Sequence, residues 1–345
     1  MAGHDVSDYD AARTGAAVLD RGARGKLVVA GADRRSYLQA MLTNDVAALA
    51  PGTGCYSAYL TPQGRMICDM RVLELGDLIL MDLDRQRAGQ VLQKLDQFVF
   101  SEDVQLGDVS ETFGLISIVG PGAPALLAPR LDAPPGQGAT TITAEELAAW
   151  SEFRNARVTL AGEPAIVVAS GELGVRGVDV FLPAAAAGGL LEGLVRGGAV
   201  PLTSPTAEVL RIEAGRPAFG VDMDTETIPL EAGIEGRAIS FTKGCYPGQE
   251  IVIRVVHRGH GRLARRLAGL RIDASEAPSP GDRVAAGDRD AGRITSACLS
   301  PAVGGPIAIA MVHRDFLEPG TALTVRHGDQ PLPATIVALP FVAPG

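Results

Sequence analysis

Glycine and proline punctuate this chain too densely for any long element to run through it: there are 42 glycines and 23 prolines among 345 residues. Proline removes a backbone donor and glycine weakens helix and strand interiors, so the chain reads as many short elements joined by turns. The length exceeds one ordinary hydrophobic core, and 46% apolar against 21% charged residues supplies enough apolar surface for two or three domains. A disulfide-stapled module and a disordered chain are both excluded. Cys55, Cys68, Cys245 and Cys298 lie far apart with no Cys-x-x-Cys pair, which fits a reducing cytosol and argues against a local zinc site. With 31 basic and 40 acidic residues the net charge is -9, so any contact with RNA or another polyanion must be local. Residues 1–10 are acidic and polar, unlike a signal peptide, and the alanine-rich stretch 184–195 is broken by Glu192. A cytoplasmic protein without a membrane span is expected.

Strands and helices interleave without a repeating period, which indicates an α+β fold. A strand over 27–30 precedes a helix over 32–49, where Tyr37, Leu38, Met41, Leu42 and Val46 recur at helical spacing and Pro51-Gly52 marks the stop. Strands over 55–60 and 66–74 flank the turn Thr61-Pro62-Gln63-Gly64, a third strand follows over 78–83, and a helix covers 84–98. This order suggests a ferredoxin-like unit over about 10–112. A second mixed unit over about 113–260 has strands at 114–119, 156–160, 165–169 and 178–182 and helices near 123–130, 185–196 and 206–214. From 261 to 342 the texture changes to short β runs between Pro and Gly turns, as a separate small barrel requires.

The most unusual stretch is Lys243-Gly244-Cys245-Tyr246-Pro247-Gly248-Gln249-Glu250. Proline second and glycine third in Tyr246–Gln249 specify a type II turn, holding Cys245 at its entrance two residues from the Lys243 ammonium. A neighbouring cation favours thiolate, so Cys245 is a candidate nucleophile, redox centre or transient soft-metal ligand; the plain alternative is a small buried cysteine beneath a turn. Arg254, His257, Arg258, His260, Arg262, Arg265 and Arg266 follow with no acid among them, either an anion-binding run or a set of ion pairs at a domain junction. Asp69, after the Gly64 turn, and Glu172, in Ser170-Gly171-Glu172-Leu173-Gly174, are candidate acids; a glutamate between glycines approaches a ligand closely. No Walker loop, dinucleotide fingerprint or His-Glu-x-x-His is present.

These residues, together with Thr43-Asn44-Asp45-Val46, Arg211-Ile212-Glu213-Ala214-Gly215, Phe219 to Met223, Ile228 to Gly233 and Gly292 to Ser296, resemble the YgfZ-like folate-binding proteins, relatives of the glycine-cleavage aminomethyltransferase (T-protein). The resemblance covers about 12–342, and its most specific part is 243–250 with Arg254. It implies three domains in a ring, two α+β units holding tetrahydrofolate and a C-terminal β-barrel. It also implies a role in iron-sulfur protein assembly or repair and, indirectly, tRNA modification, with iron-sulfur assembly proteins or client enzymes as partners. Glu172 would bind the pterin ring, with Cys68, Asp69, Tyr246, Gln249 and Arg254 as further folate-site residues and Cys245 and Lys243 as the reactive pair. Where T-proteins carry a catalytic aspartate this chain aligns Cys68, and where they carry an Arg-Asp pair it has Ala207 and Glu208. Aminomethyl transfer, the alternative activity, is therefore expected to be absent.

Overall fold

A computed structural model describes residues 6–133, 142–258, 263–328 and 330–343. The chain divides into two compact units, each assembled from separate stretches: 1–59, 67–207 and 237–247 form one, and 60–66, 208–236 and 248–345 the other.

The first unit contains two sheets. In one, the strands Thr53–Leu60, Met66–Glu74, Leu78–Leu83, Gly25–Ala30 and Gln105–Asp108 lie in that spatial order, so the first of them in sequence, Gly25–Ala30, is inserted between later ones. This is the split order expected of a ferredoxin-like unit with an added edge strand. The helices Arg34–Met41 and Arg85–Asp96 supply Tyr37, Leu38, Met41, Ala88, Val91 and Leu95 to the core beneath this sheet. Asp84 starts the second helix by accepting from the Gln86 N–H at 2.8 Å. The first helix is shorter than its periodicity predicts. It stops at Leu42 because the polar side chains that follow take over the backbone partners: Thr43 donates to the Ala238 carbonyl, Asn44 to those of Tyr56 and Arg237, and Gln39 accepts from Val46 N–H.

The second sheet has seven strands in the order Val200–Pro201, Ala17–Asp20, Phe113–Val119, Gly177–Pro183, Glu163–Ser170, Asn155–Leu160 and Leu131–Asp132. Its core is built from Ile116, Ile118, Val167, Val178 and Val180 with Leu190 and Leu194 of the helix Ala184–Arg196. A helix missed in the sequence, Ala144–Ala149, is set by a capping box in which Thr143 and Glu146 satisfy each other's backbone N–H.

In the second unit six strands close a barrel: Arg265–Ile272, Gly305–His313, Arg289–Ser300, Arg283–Ala286, Ala322–His327 and Gln330–Val337. Alternation sends Leu270, Val284, Ile294, Val312 and Val325 inward, leaving the charged residues between them outside.

Candidate functional site

The strand Met66–Glu74 sorts its side chains by parity. Cys68, Met70 and Val72 enter the helix-covered core, while Asp69 and Arg71 lie on the opposite face. Cys68 is wholly buried, donates to the Asp69 carbonyl at 2.9 Å, and has its thiol pushed well up, first by burial and then by Asp69. Cys68, expected among the folate-site residues, therefore lies in the core, and the residue of the pair on the charged face is Asp69.

On that face charges are concentrated within the first unit. Arg71, 1% exposed, donates through Nε to Asp82 at 2.6 Å and through Nη1 to Asp179 of the other sheet. Asp82 also accepts from Arg24 at 2.6 Å, and Asp179 from the Ser117 hydroxyl at 2.5 Å. Despite burial, the surrounding guanidinium groups hold both carboxyls below the usual range. Arg21 approaches Glu172 at 3.8 Å. Burial opposes the Glu172 charge, yet Arg71, Arg21, Arg24 and Arg237 outweigh it and keep the carboxyl low. Among the described residues Glu172 has no direct hydrogen bond, so its ionised oxygens keep their acceptor capacity.

Asp69 behaves in the opposite way. Burial pushes its carboxyl up, and the Tyr56 hydroxyl, donating at 2.6 Å, only partly counters this. The Tyr56 ring lies 4.9 Å from the Arg237 guanidinium, which is itself tied to Glu152 at 3.0 Å. Two acids with opposed shifts therefore share one face: the Glu172 carboxyl is held low by the arginines around it and the Asp69 carboxyl is pushed up by burial. Sequence reading missed Tyr56, Arg21, Arg24, Arg71, Asp82 and Asp179. For Arg71, Asp82 and Asp179 the signal was charge inside apolar strands, as in Asp69-Met70-Arg71 and Leu80-Met81-Asp82-Leu83; Arg21 and Arg24, in the connection between two strands, and the neutral Tyr56 carry no such mark.

The turn over 246–249 forms as predicted, with Gly248 at φ 82°, ψ -1°. Cys245 at its entrance is exposed, which removes the reading of a cysteine buried beneath the turn. Lys243 is not a free partner for it. Its Nζ donates to the carbonyls of Gln39, Leu42 and Asn44 and stands 5.0 Å from the centre of the buried Tyr246 ring; burial pushes its ammonium down to about 8. In the structure Lys243 and Tyr246, expected in reactive and ligand-binding roles, both clamp the segment. Gln249 opens the short helix Gln249–Ile253 and exposed Arg254 caps it. Of the basic run, 259–262 lie outside the described residues, while Arg265 and Arg266 are ion-paired with Glu231 and Glu235 in the second unit. No cluster of three metal-ligating side chains occurs among the described residues, and none of their helices is long and apolar enough to cross a membrane.

Two domain families match this chain: the GCVT N-terminal domain over 2–243 and the glycine cleavage T-protein C-terminal barrel domain over 265–343. Proteins named aminomethyltransferase are similar over nearly the whole length. That of Rubrobacter xylanophilus is 31% identical over 97% of this chain and 85% of its own, and that of Saccharopolyspora erythraea is 30% identical over 98% and 89%. The solved glycine cleavage system aminomethyltransferase T from Bartonella henselae shares the fold, with a TM-score of 0.85 at 21% identity over 98% of this chain and 89% of that one. The chain belongs to the glycine-cleavage T-protein family.

Proposed function

We propose that the polar face of the first unit binds a tetrahydrofolate and that the protein acts on its one-carbon unit by aminomethyl transfer. The observation that carries this reading is that Asp69, not Cys68, shares the charged face with Glu172, so an acid of this strand stands on that face. The similarity to aminomethyltransferases supports the same reading.

The residues suit a reduced pterin. Glu172, ionised and without hydrogen bonds among the described residues, matches a ring edge that offers two adjacent N–H groups. A tetrahydrofolate supplies the nitrogen atoms that carry a one-carbon unit. Asp69 holds or releases a proton beside them, and Tyr56 orients its carboxyl. The test is calorimetric titration with tetrahydrofolate, followed by turnover with lipoylated carrier, ammonia and methylene-tetrahydrofolate. Glu172→Gln is expected to weaken folate binding, and Asp69→Asn to keep binding while losing turnover. A wild-type protein that binds folate and never turns over ends the transferase reading.

One observation favours a second reading, a cytosolic folate-binding protein that supports iron-sulfur protein assembly. Of the four cysteines only Cys245 is exposed, and it stands on the most specific motif of the sequence. If Cys245→Ala supports iron-sulfur enzyme activities as well as the wild type does in cells lacking the native copy, this reading fails.

A further inference from the structure

On the outside of the barrel, arginines from three neighbouring strands stand side by side. Arg283 is directly opposite Arg293 on one flank and Arg326 on the other. Because Val284, Ile294 and Val325 point into the core, the three guanidinium groups share the solvent face, where all three residues are exposed. Like charges at directly opposed positions repel and lower stability. Among the described residues none of the three has an ion pair or a side-chain hydrogen bond to offset this.

Arg283 and Arg293 form part of the wall of a cleft of about 590 Å³ within the second unit. Its other charges are largely taken up. Asp222 accepts from Arg211, Thr295 and Ser296; Asp224 accepts from Thr227 and the Glu226 N–H; Glu226 faces Arg65; Arg265 is held by Glu231. Asp290 accepts only the Gly292 N–H at 3.3 Å. Among the described residues the two wall arginines are thus the guanidinium groups of the cleft left without a counter-ion, and at Gly220 and Gly281 nothing stands within 4 Å of where a Cβ would be.

We propose that this cleft binds a small phosphoryl-bearing molecule, its oxyanion held by Arg283 and Arg293 with Arg326 alongside. Planar guanidinium forks match phosphoryl oxygens two at a time, and the volume is that of a small-molecule site. An extended polyanion fits less well, because Asp224, Glu226 and Asp290 line the same cleft and the chain carries a net charge of -9.

The test is calorimetric titration of the full chain with inorganic pyrophosphate at low salt. One saturable site is expected, weakened about tenfold or more by Arg283→Gln and by Arg293→Gln and unchanged by Glu172→Gln. A nucleoside diphosphate binding more tightly than pyrophosphate assigns the ligand to nucleotides, and equal affinity assigns it to phosphorylated metabolites without a base. Both arginine variants are also expected to melt at a higher temperature than the wild type, since each relieves the repulsion. The proposal is overturned by absence of saturable binding, by binding indifferent to both substitutions, by unchanged or lower melting, or by equally arginine-dependent binding of a single-stranded RNA.

Discussion

On the proposed reading, Asp69 and Tyr56 form the pair on which the chemistry of the first unit would turn. The Tyr56 hydroxyl lowers an Asp69 carboxyl that burial raises, so Tyr56→Phe moves that carboxyl further up. The acid limb of the pH-rate profile is expected to shift to higher pH in Tyr56→Phe, and Asp69→Asn to lower turnover about 100-fold or more. An unmoved acid limb would remove Asp69 as the titrating group. The four thiols give a second test. Burial pushes Cys55 and Cys298 up to about 12 and Cys68 well above its ordinary value, whereas Cys245 is exposed. One fast-reacting thiol is expected with a disulfide reagent in the native protein, and none in Cys245→Ala. At this scale the sequence offered Glu172 and Asp69, which the structure brings to one charged face, and Cys68, which it buries in the core. Strand parity is legible in the alternation, but which parity faces the core depends on the helices packed beneath, and those are set by distant contacts.

Among the elements, two tight turns of the second unit meet backbone to backbone. A Cβ on Gly248 would lie 2.5 Å from the Thr61 carbonyl oxygen and 2.8 Å from the Gly64 Cα; one on Gly64 would lie 2.8 Å from the Ile251 Cβ. Both glycines also have positive φ, 82° and 76°. Gly248→Ala combines a left-handed backbone penalty with a steric clash and is expected to cost about 2–4 kcal/mol in denaturant unfolding. The nearby Lys243 clamp gives a second expectation. Lys243→Met removes one donor from each of three carbonyls, of which that of Asn44 keeps the Val46 N–H, for a loss of about 2–3 kcal/mol by the same measurement. Both turns were readable from Pro and Gly placement. Their packing against each other was not, because a glycine chosen for φ and one chosen for close approach look alike in sequence. The helix over 32–49 was overextended for a related reason: Leu42 and Val46 continue the apolar spacing, but Thr43, Asn44 and Asp45 divert the backbone hydrogen bonds.

At the scale of the whole molecule, Arg71 is a buried charge that joins Asp82 of one sheet to Asp179 of the other within the first unit. Arg71→Met is expected to destabilise by about 3–5 kcal/mol at neutral pH, because two buried carboxylates lose a counter-ion. Asp82 and Asp179 are held below their unfolded values, so their contribution is full above the unfolded carboxylate range and is lost progressively as pH falls from there through their lower folded values. The variant's deficit is therefore expected to shrink when unfolding is measured near pH ~3, where the unfolded chain's carboxyls already take up protons and the wild type's advantage begins to fall. The mixed α+β class and the closed barrel were legible from turn spacing. The division of the chain was not, since contacts between stretches far apart in sequence leave no local mark. That division has a consequence for synthesis. The first unit lacks its last stretch, 237–247, until residue 247 has been made, and the hairpin tip 60–66 belongs to a unit whose barrel begins to emerge only after residue 265. On the ribosome the hairpin tip must therefore wait through some 200 residues of elongation, and a message truncated near residue 240 yields neither unit complete.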